Sequence, residues 1–365
     1  MKRTLFLIVG LIISVISLYI AFQGFDLADV WEATARVRVP FFLLMVGPYI
    51  LTFMTKVWRW RVMFHPDEAR ARAGVLFPAL MISYIPLPFR AGEVARAVVA
   101  GARLGMAVPR VLSTILVEKV LDVLTLLLFL GMALPFVGLP GQLQNTAMVL
   151  GLMVLGATLV LVWLVLKPHV ARGVVRLLSR LLPIRLGLGP RIEEATEHAL
   201  QGLAPMSNPR IALRLVLWSL ATWGINSVTV YLMLLAFNIT VTPMAAMVLV
   251  VVTNLSMAVP SAPGYIGPFE AAVVGVLVLL GQPLDAAQTM AIVYHFIGLV
   301  PVAAMGVVAA LQQGIGLVTL SAQPQPRMPR VEEAQELQPD GQPEHSGHAP
   351  AAQSARTHIT THNQR

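Results

Sequence analysis

Residues 261–272 read SAPGYIGPFEAA. The chain on either side is almost free of charge, with MAAMVLVVVTNLSMAVP at 244–260 and VVGVLVLLG at 273–281. A helix in lipid satisfies its backbone internally, so a break is tolerated only where protein or a water-filled cavity covers it. Pro263 and Pro268 lack a backbone donor, and Gly264 and Gly267 allow turns that other residues resist. The region 243–281 therefore reads as a hairpin that enters the bilayer, turns near its middle and leaves on the side it came from. Glu270 falls in the first turn of the returning half-helix, whose free N–H groups form a positive end.

Earlier in the chain a second stretch has the same punctuation. Residues 83–93 read SYIPLPFRAGE. Set against 260–270, PSAPGYIGPFE, Glu93 aligns with Glu270 and Pro86 with Pro263, while Pro88 and Gly92 add further breaks. Each segment is followed by a short apolar half-helix and a full span, and preceded by a full span. The repeating unit is span, broken hairpin, span, at about 40–136 and again at about 211–313. One hairpin starts on the cytoplasmic side and the other outside, which makes the two units an inverted repeat. Two tilted, paired crossings in each broken region are the competing geometry, and they preserve the later topology.

Composition agrees with a bilayer setting. The 365 residues are 57% hydrophobic and 12% charged, where soluble domains carry about 25% charge. A spanning helix needs about 20 apolar residues, and six stretches have that length, at about 5–22, 40–63, 111–136, 146–166, 211–237 and 286–313. The expected fold is an all-α polytopic membrane protein of about six full transmembrane helices plus two re-entrant hairpins. The membrane domain covers 1–318, and a Pro-, Gln- and His-rich segment at 319–365 reads as a disordered cytoplasmic tail. The net charge of +8 gathers beside the spans, at Lys56, Arg59, Arg61, Arg70 and Arg72 and again over 167–210, where Arg172, Arg176 and Arg180 mark a basic amphipathic helix. The positive-inside rule then puts both termini in the cytoplasm. Cysteine is absent, which excludes disulfides and thiol chemistry, and no metal-ligating spacing is present. Neither a cofactor nor nucleic acid is expected, and membrane lipids are the expected partners.

Ionisable groups at membrane depth are costly and point to function by default. The first hairpin carries Arg90, Glu93, Arg96 and Arg103, and the next span carries Glu118, Lys119 and Asp122. Arg90 and Arg96 each lie three residues from Glu93, close enough to pair on a helix. Glu118 and Asp122 share a helical face and need a cation, for which Arg90, Arg96 and Lys119 are the candidates. The cluster suits a phosphate or other anionic headgroup. A self-satisfied ion-pair network that holds the hairpin is the alternative. In the second half, Glu270 and His295 are either a hydrogen-bonded packing pair or a proton relay. Asn226 and Asn254 read as interhelical hydrogen-bond donors.

Three stretches, PLPFRAGEVARAVVAG (86–101), VPRVLSTILVEKVLDVL (108–124) and PSAPGYIGPFEAA (260–272), resemble the flippase-like transmembrane region of lysylphosphatidylglycerol synthases. The family pattern of R-A-G-E, E-(R/K)-x-x-D and P-G-x-x-G-x-x-E falls on Arg90–Glu93, on Glu118, Lys119 and Asp122, and on Pro263–Glu270, within a resemblance that spans about 5–315. The resemblance implies a prokaryotic plasma-membrane protein that moves or handles lipids, without the soluble domain that synthesises the aminoacylated lipid in two-part members. Catalysis by this chain is accordingly not the leading expectation. No GxxxxGK[ST] motif is present, so transport is expected to run downhill or with a coupled ion. The leading expectation is a translocase for an anionic or aminoacylated phospholipid or glycolipid. An ion-coupled transporter of a small anion and an accessory subunit of a lipid-modifying enzyme are the alternatives.

Overall fold

Proline and glycine set most of the helix boundaries. The structure, a computed structural model, describes residues 2–87, 91–139, 141–166 and 208–314. Pro88, Arg90, the expected amphipathic segment over 167–207 and the tail over 319–365 lie outside the described residues. All regular structure among the described residues is helical. The eleven α-helices are α1 (Lys2–Ala21), α2 (Leu27–Ala35), α3 (Val39–Val62), α4 (Ala73–Ile82), α5 (Ala91–Leu104), α6 (Val108–Ala133), α7 (Gln142–Leu166), α8 (Pro209–Ala236), α9 (Pro243–Ser256), α10 (Pro268–Leu279) and α11 (Leu284–Gln312). Proline stands at the first or second position of α3, α6, α8, α9 and α10, where its missing N–H costs nothing.

Four of these helices, α3, α7, α8 and α11, are long and apolar enough to cross a membrane. The protein is therefore a multi-pass membrane protein. α6 has the length, at 26 residues, but carries Arg110, Glu118, Lys119 and Asp122, which is why composition alone sets it apart. The two broken regions each form a pair of short helices, as the punctuation predicts. α5 starts at Ala91 and α10 at Pro268. At 1.5 Å per residue, the 10 to 14 residues of α4, α5, α9 and α10 extend only about 15–21 Å. α2 was not anticipated. Asp26 caps it by accepting from the Ala28 N–H at 2.9 Å.

Packing crosses between the halves of the chain. α3 lies along α8, α4 packs on α11, and α9 packs on α6. One apolar core gathers around α4 and α5, with Leu76, Leu80 and Ile82 at its centre and Val302 and Ala310 of α11 closing it. A second gathers around α9 and α10, with Leu249, Val251 and Val273 at its centre and Leu126 and Phe129 of α6 closing it. Between lipid-soluble helices there is little hydrophobic driving force, so close van der Waals fit and polar contacts hold them. Gly306 shows how tight that fit is. A Cβ there would stand 2.4 Å from the Met81 carbonyl oxygen.

α1 covers the 257–267 link between α9 and α10. The Ser14 hydroxyl accepts from the Ala262 N–H at 2.8 Å, supplying a partner that the broken helix lacks. Gly267, at φ +101°, packs so closely on Ser14 that a Cβ would lie 2.6 Å from its carbonyl oxygen. Here glycine is required twice, by conformation and by space.

Candidate functional site

A chamber of about 170 Å³ lies where α3, α8 and α11 meet the two links of the broken pairs. Tyr84 reaches it from the α4–α5 link, and Gly264 and Tyr265 from the α9–α10 link. Its polar lining includes Lys56, Tyr49, Asn226, Asn254 and His295. Lys56 donates to the Tyr84 hydroxyl at 2.8 Å and sits 5.4 Å from the ring centroids of both Tyr84 and Trp223. Among the described residues no carboxylate lies within ion-pair distance of it. The chamber therefore presents a cation that is held by aromatic faces and a hydroxyl and keeps its charge uncompensated.

The sequence reading counts Lys56 and Arg59 as loop charges flanking the second span. The structure corrects this, because both lie within α3 and the Arg59 side chain is 0% exposed. Arg59 can be buried because Asp122 on α6 stands 2.7 Å from it and the Ser219 hydroxyl on α8 accepts at 3.2 Å. Trp223 donates to the same Asp122 oxygen at 2.9 Å. The signal in the sequence was Lys56 and Arg59 standing inside an apolar run that continues through Val62.

The first-half cluster is brought together, with partners that spacing alone does not select. Arg96 is buried and forks onto Glu118 at 3.2 and 2.7 Å. Glu93 pairs across to Lys119 at 2.9 Å rather than along its own helix. Arg59 is also 4.0 Å from Glu118, so Asp122, Arg59, Glu118 and Arg96 form one network joining α3, α5 and α6, with the Glu93–Lys119 pair between α5 and α6 as a second tie. None of its members lines the chamber. Arg103 is exposed at the end of α5.

In the second half, Glu270 and His295 meet. His295 Nδ1 is 2.5 Å from Glu270 Oε1, and its Nε2 is 2.8 Å from the Gly264 carbonyl oxygen. The other Glu270 oxygen accepts from the Gly267 N–H at 2.6 Å, capping α10. Glu270, His295 and Leu299 also border a larger groove of about 470 Å³, whose other walls are apolar side chains of α1, of the two links that follow α1 and α9, and of α11, among them Leu18, Phe22, Ile266 and Phe296. His295 and Leu299 line both spaces. Asn254 donates to the Val250 carbonyl of its own helix at 2.8 Å, a contact within α9 rather than between helices.

Comparison with known proteins adds one relative. The chain is 25% identical over 325 residues to a protein of Haloferax volcanii called Glycosyltransferase AglD, an alignment that takes in 80% of this chain and 51% of the relative. This chain thus spans about half the length of that curated relative. No solved structure matches it. Residues 7–306 match the family described as Lysylphosphatidylglycerol synthase TM region, so most of the chain, including both broken pairs, the ion network and the chamber, lies inside the match, and the protein belongs to that family.

Proposed function

We propose that the protein translocates a lipid with an anionic headgroup. The observation that carries this reading is Lys56, an uncompensated cation facing a chamber between two broken helix pairs. The large groove beside the chamber favours a lipid over a small aqueous anion, since its apolar walls suit an acyl or polyprenyl chain while the head occupies the chamber. The relative's name, a glycosyltransferase, keeps glycolipids among the candidate cargoes together with aminoacylated and simple anionic phospholipids.

On this reading α4–α5 and α9–α10 are re-entrant hairpins of an inverted repeat. Their lengths support it, since about 15–21 Å falls short of a hydrocarbon core of about 30 Å. So does the packing. Exchanging α3–α6 for α8–α11 turns the α4·α11 contact into the α9·α6 contact and leaves α3·α8 in place. Rocking of one repeat against the other would open the chamber to alternate sides. His295 and Glu270 contact the cargo path, and the network around Arg96, Glu118 and Asp122 holds the first hairpin. The termini lie in the cytoplasm of a prokaryotic plasma membrane.

The test is reconstitution of the full chain in vesicles holding fluorescent phosphatidylglycerol or phosphatidylcholine, read by quencher access to the outer leaflet. Faster loss of phosphatidylglycerol signal than in protein-free vesicles, at least about tenfold slower in Lys56→Met, is the expected result. Rates equal to protein-free vesicles for both probes and for the lipid extract of a native host would overturn the proposal.

A further inference from the structure

The hydrogens at His295 carry a second step, which rests on the chamber being a transport site. A backbone carbonyl only accepts, so Nε2, 2.8 Å from the Gly264 oxygen, must bear a hydrogen. The 2.5 Å contact between Nδ1 and Glu270 then needs a second hydrogen, either on the ring or on the carboxyl group. Either way the imidazole and carboxyl together hold two. With one fewer, a ring lone pair faces an acceptor at Glu270 or at Gly264, and that contact must open.

These two contacts tie the later part of the α9–α10 link, at Gly264, and the first turn of α10, at Glu270, to α11. Gly264 and the next residue, Tyr265, are both left-handed, at φ +84° and +64°, a conformation that a tyrosine adopts only when its surroundings impose it. Because His295 and Leu299 line both the chamber and the groove, the tied link stands in the partition between them. The titratable groups that share the chamber are Lys56 and Tyr49 on α3, Tyr84 on the first link, Tyr265 on the second and Tyr294 on α11. Leu18 of α1 and Phe22 and Phe25 just after it are apolar, and among the described residues Glu270 is the single carboxylate lining either space.

We propose that Glu270, His295 and the Gly264 carbonyl form a proton-binding latch on the partition, so that an anionic cargo and a proton cross together. With the proton bound the latch is neutral, and Lys56 leaves the chamber at +1, suited to an anion. When the imidazole or carboxyl passes that proton to water, the latch becomes −1, cancels Lys56 across the chamber and releases both the link and the anion.

The experiment uses the full chain in detergent with one introduced thiol, Leu299→Cys, since native cysteines are absent. Its labelling rate by a charged methanethiosulfonate is measured from about pH 5 to about pH 9, where histidine pairs titrate. Each rate is divided by the rate in Leu299→Cys with Glu270→Gln. The amide can donate to Nδ1 of the neutral ring and accept from Gly267, so the variant stays latched with one hydrogen on the imidazole and has no carboxyl proton to lose, and the thiol's own response to pH is common to both rates. The ratio should be near one in acid and rise about fivefold or more toward alkaline pH, the factor expected for one lost hydrogen bond. A ratio that stays flat overturns the latch. If Glu270→Gln elutes as aggregate, His295→Gln serves as the reference, since it has no imidazole to hold or lose the second hydrogen of the latch. No lipid cargo enters this measurement, so a failure of the vesicle assay counts against the transport reading alone.

Discussion

The guanidinium of Arg96 sits over the indole of Trp60, 3.6 Å from the ring centroid, while its two terminal nitrogens fork onto Glu118. Trp60 is itself anchored by donating to the Thr114 hydroxyl at 2.9 Å. Three helices are thereby locked at one point, α5 through Arg96, α3 through Trp60 and α6 through Glu118.

Removing one partner of a buried pair leaves a charge that lipid and protein cannot solvate. Arg96→Ala and Glu118→Ala should each cost about 3–5 kcal/mol, read as detergent-phase thermal unfolding. The double substitution Arg96→Met with Glu118→Leu should cost less than either single change. Additive losses would show that the pair is uncoupled. Arg96→Lys should not rescue, because a lysine has neither the planar fork nor the stacking face.

Lys56 has aromatic and hydroxyl neighbours but, among the described residues, no acid, so its loss should leave the fold intact. Lys56→Met is expected to change stability by no more than about 1 kcal/mol while reducing transport of an anionic lipid probe at least about tenfold, the effect of losing one charge-assisted contact. Parallel circular dichroism and vesicle measurements separate the two effects. A variant that transports normally would remove Lys56 from the site.

Gly306 and Gly275 offer a paired test of packing. At Gly306 a side chain meets the Met81 backbone, so Gly306→Leu should destabilise by about 1–3 kcal/mol or more through overpacking and loosen α4 from α11. At Gly275 nothing lies within 4 Å, so Gly275→Ala should be neutral or stabilising by up to about 1 kcal/mol through helix propensity. Equal effects at both positions would contradict the close α4–α11 contact.

Good geometry does not make every ion pair matter. Arg214 forks onto Glu68 at 2.9 Å on both arms, yet its side chain is 47% exposed. Solvent screens such a pair, and Arg214→Ala should cost under about 1 kcal/mol. A loss as large as that at Arg96 would mean the site is far drier than its exposure indicates.

An inverted repeat places Arg72, before α4, and Pro283, after α10, on opposite faces of the membrane. Both are exposed. Single cysteines there should react with an impermeant maleimide from opposite sides in intact cells and inverted vesicles. Labelling from the same side would remove the inversion.

Helix breaks were legible because proline and glycine act on their own backbone. Pro263, Gly264, Gly267 and Pro268 predict a turn between two short helices whatever surrounds them, and α9 and α10 end and begin beside that turn. Charge partners were less legible. Spacing offers Arg90 and Arg96 to Glu93, but Glu93 takes Lys119, Arg96 takes Glu118, and Asp122 takes Arg59 from a helix about sixty residues earlier. A side chain's best partner in lipid is the nearest opposite charge in space, and helical spacing reports only neighbours on the same helix.

The amino-acid order by itself determined a helical membrane chain, its two interruptions and the acids placed just beyond them, because length, apolarity and backbone chemistry are local properties. Only the tertiary structure decided that Arg59 and Lys56, three residues apart on α3, have opposite fates. The packing of α6 and α8 on α3 brings a carboxylate to one and leaves the other to aromatic rings and an open chamber. Which charges stay uncompensated depends on distances between helices, and those are set by packing.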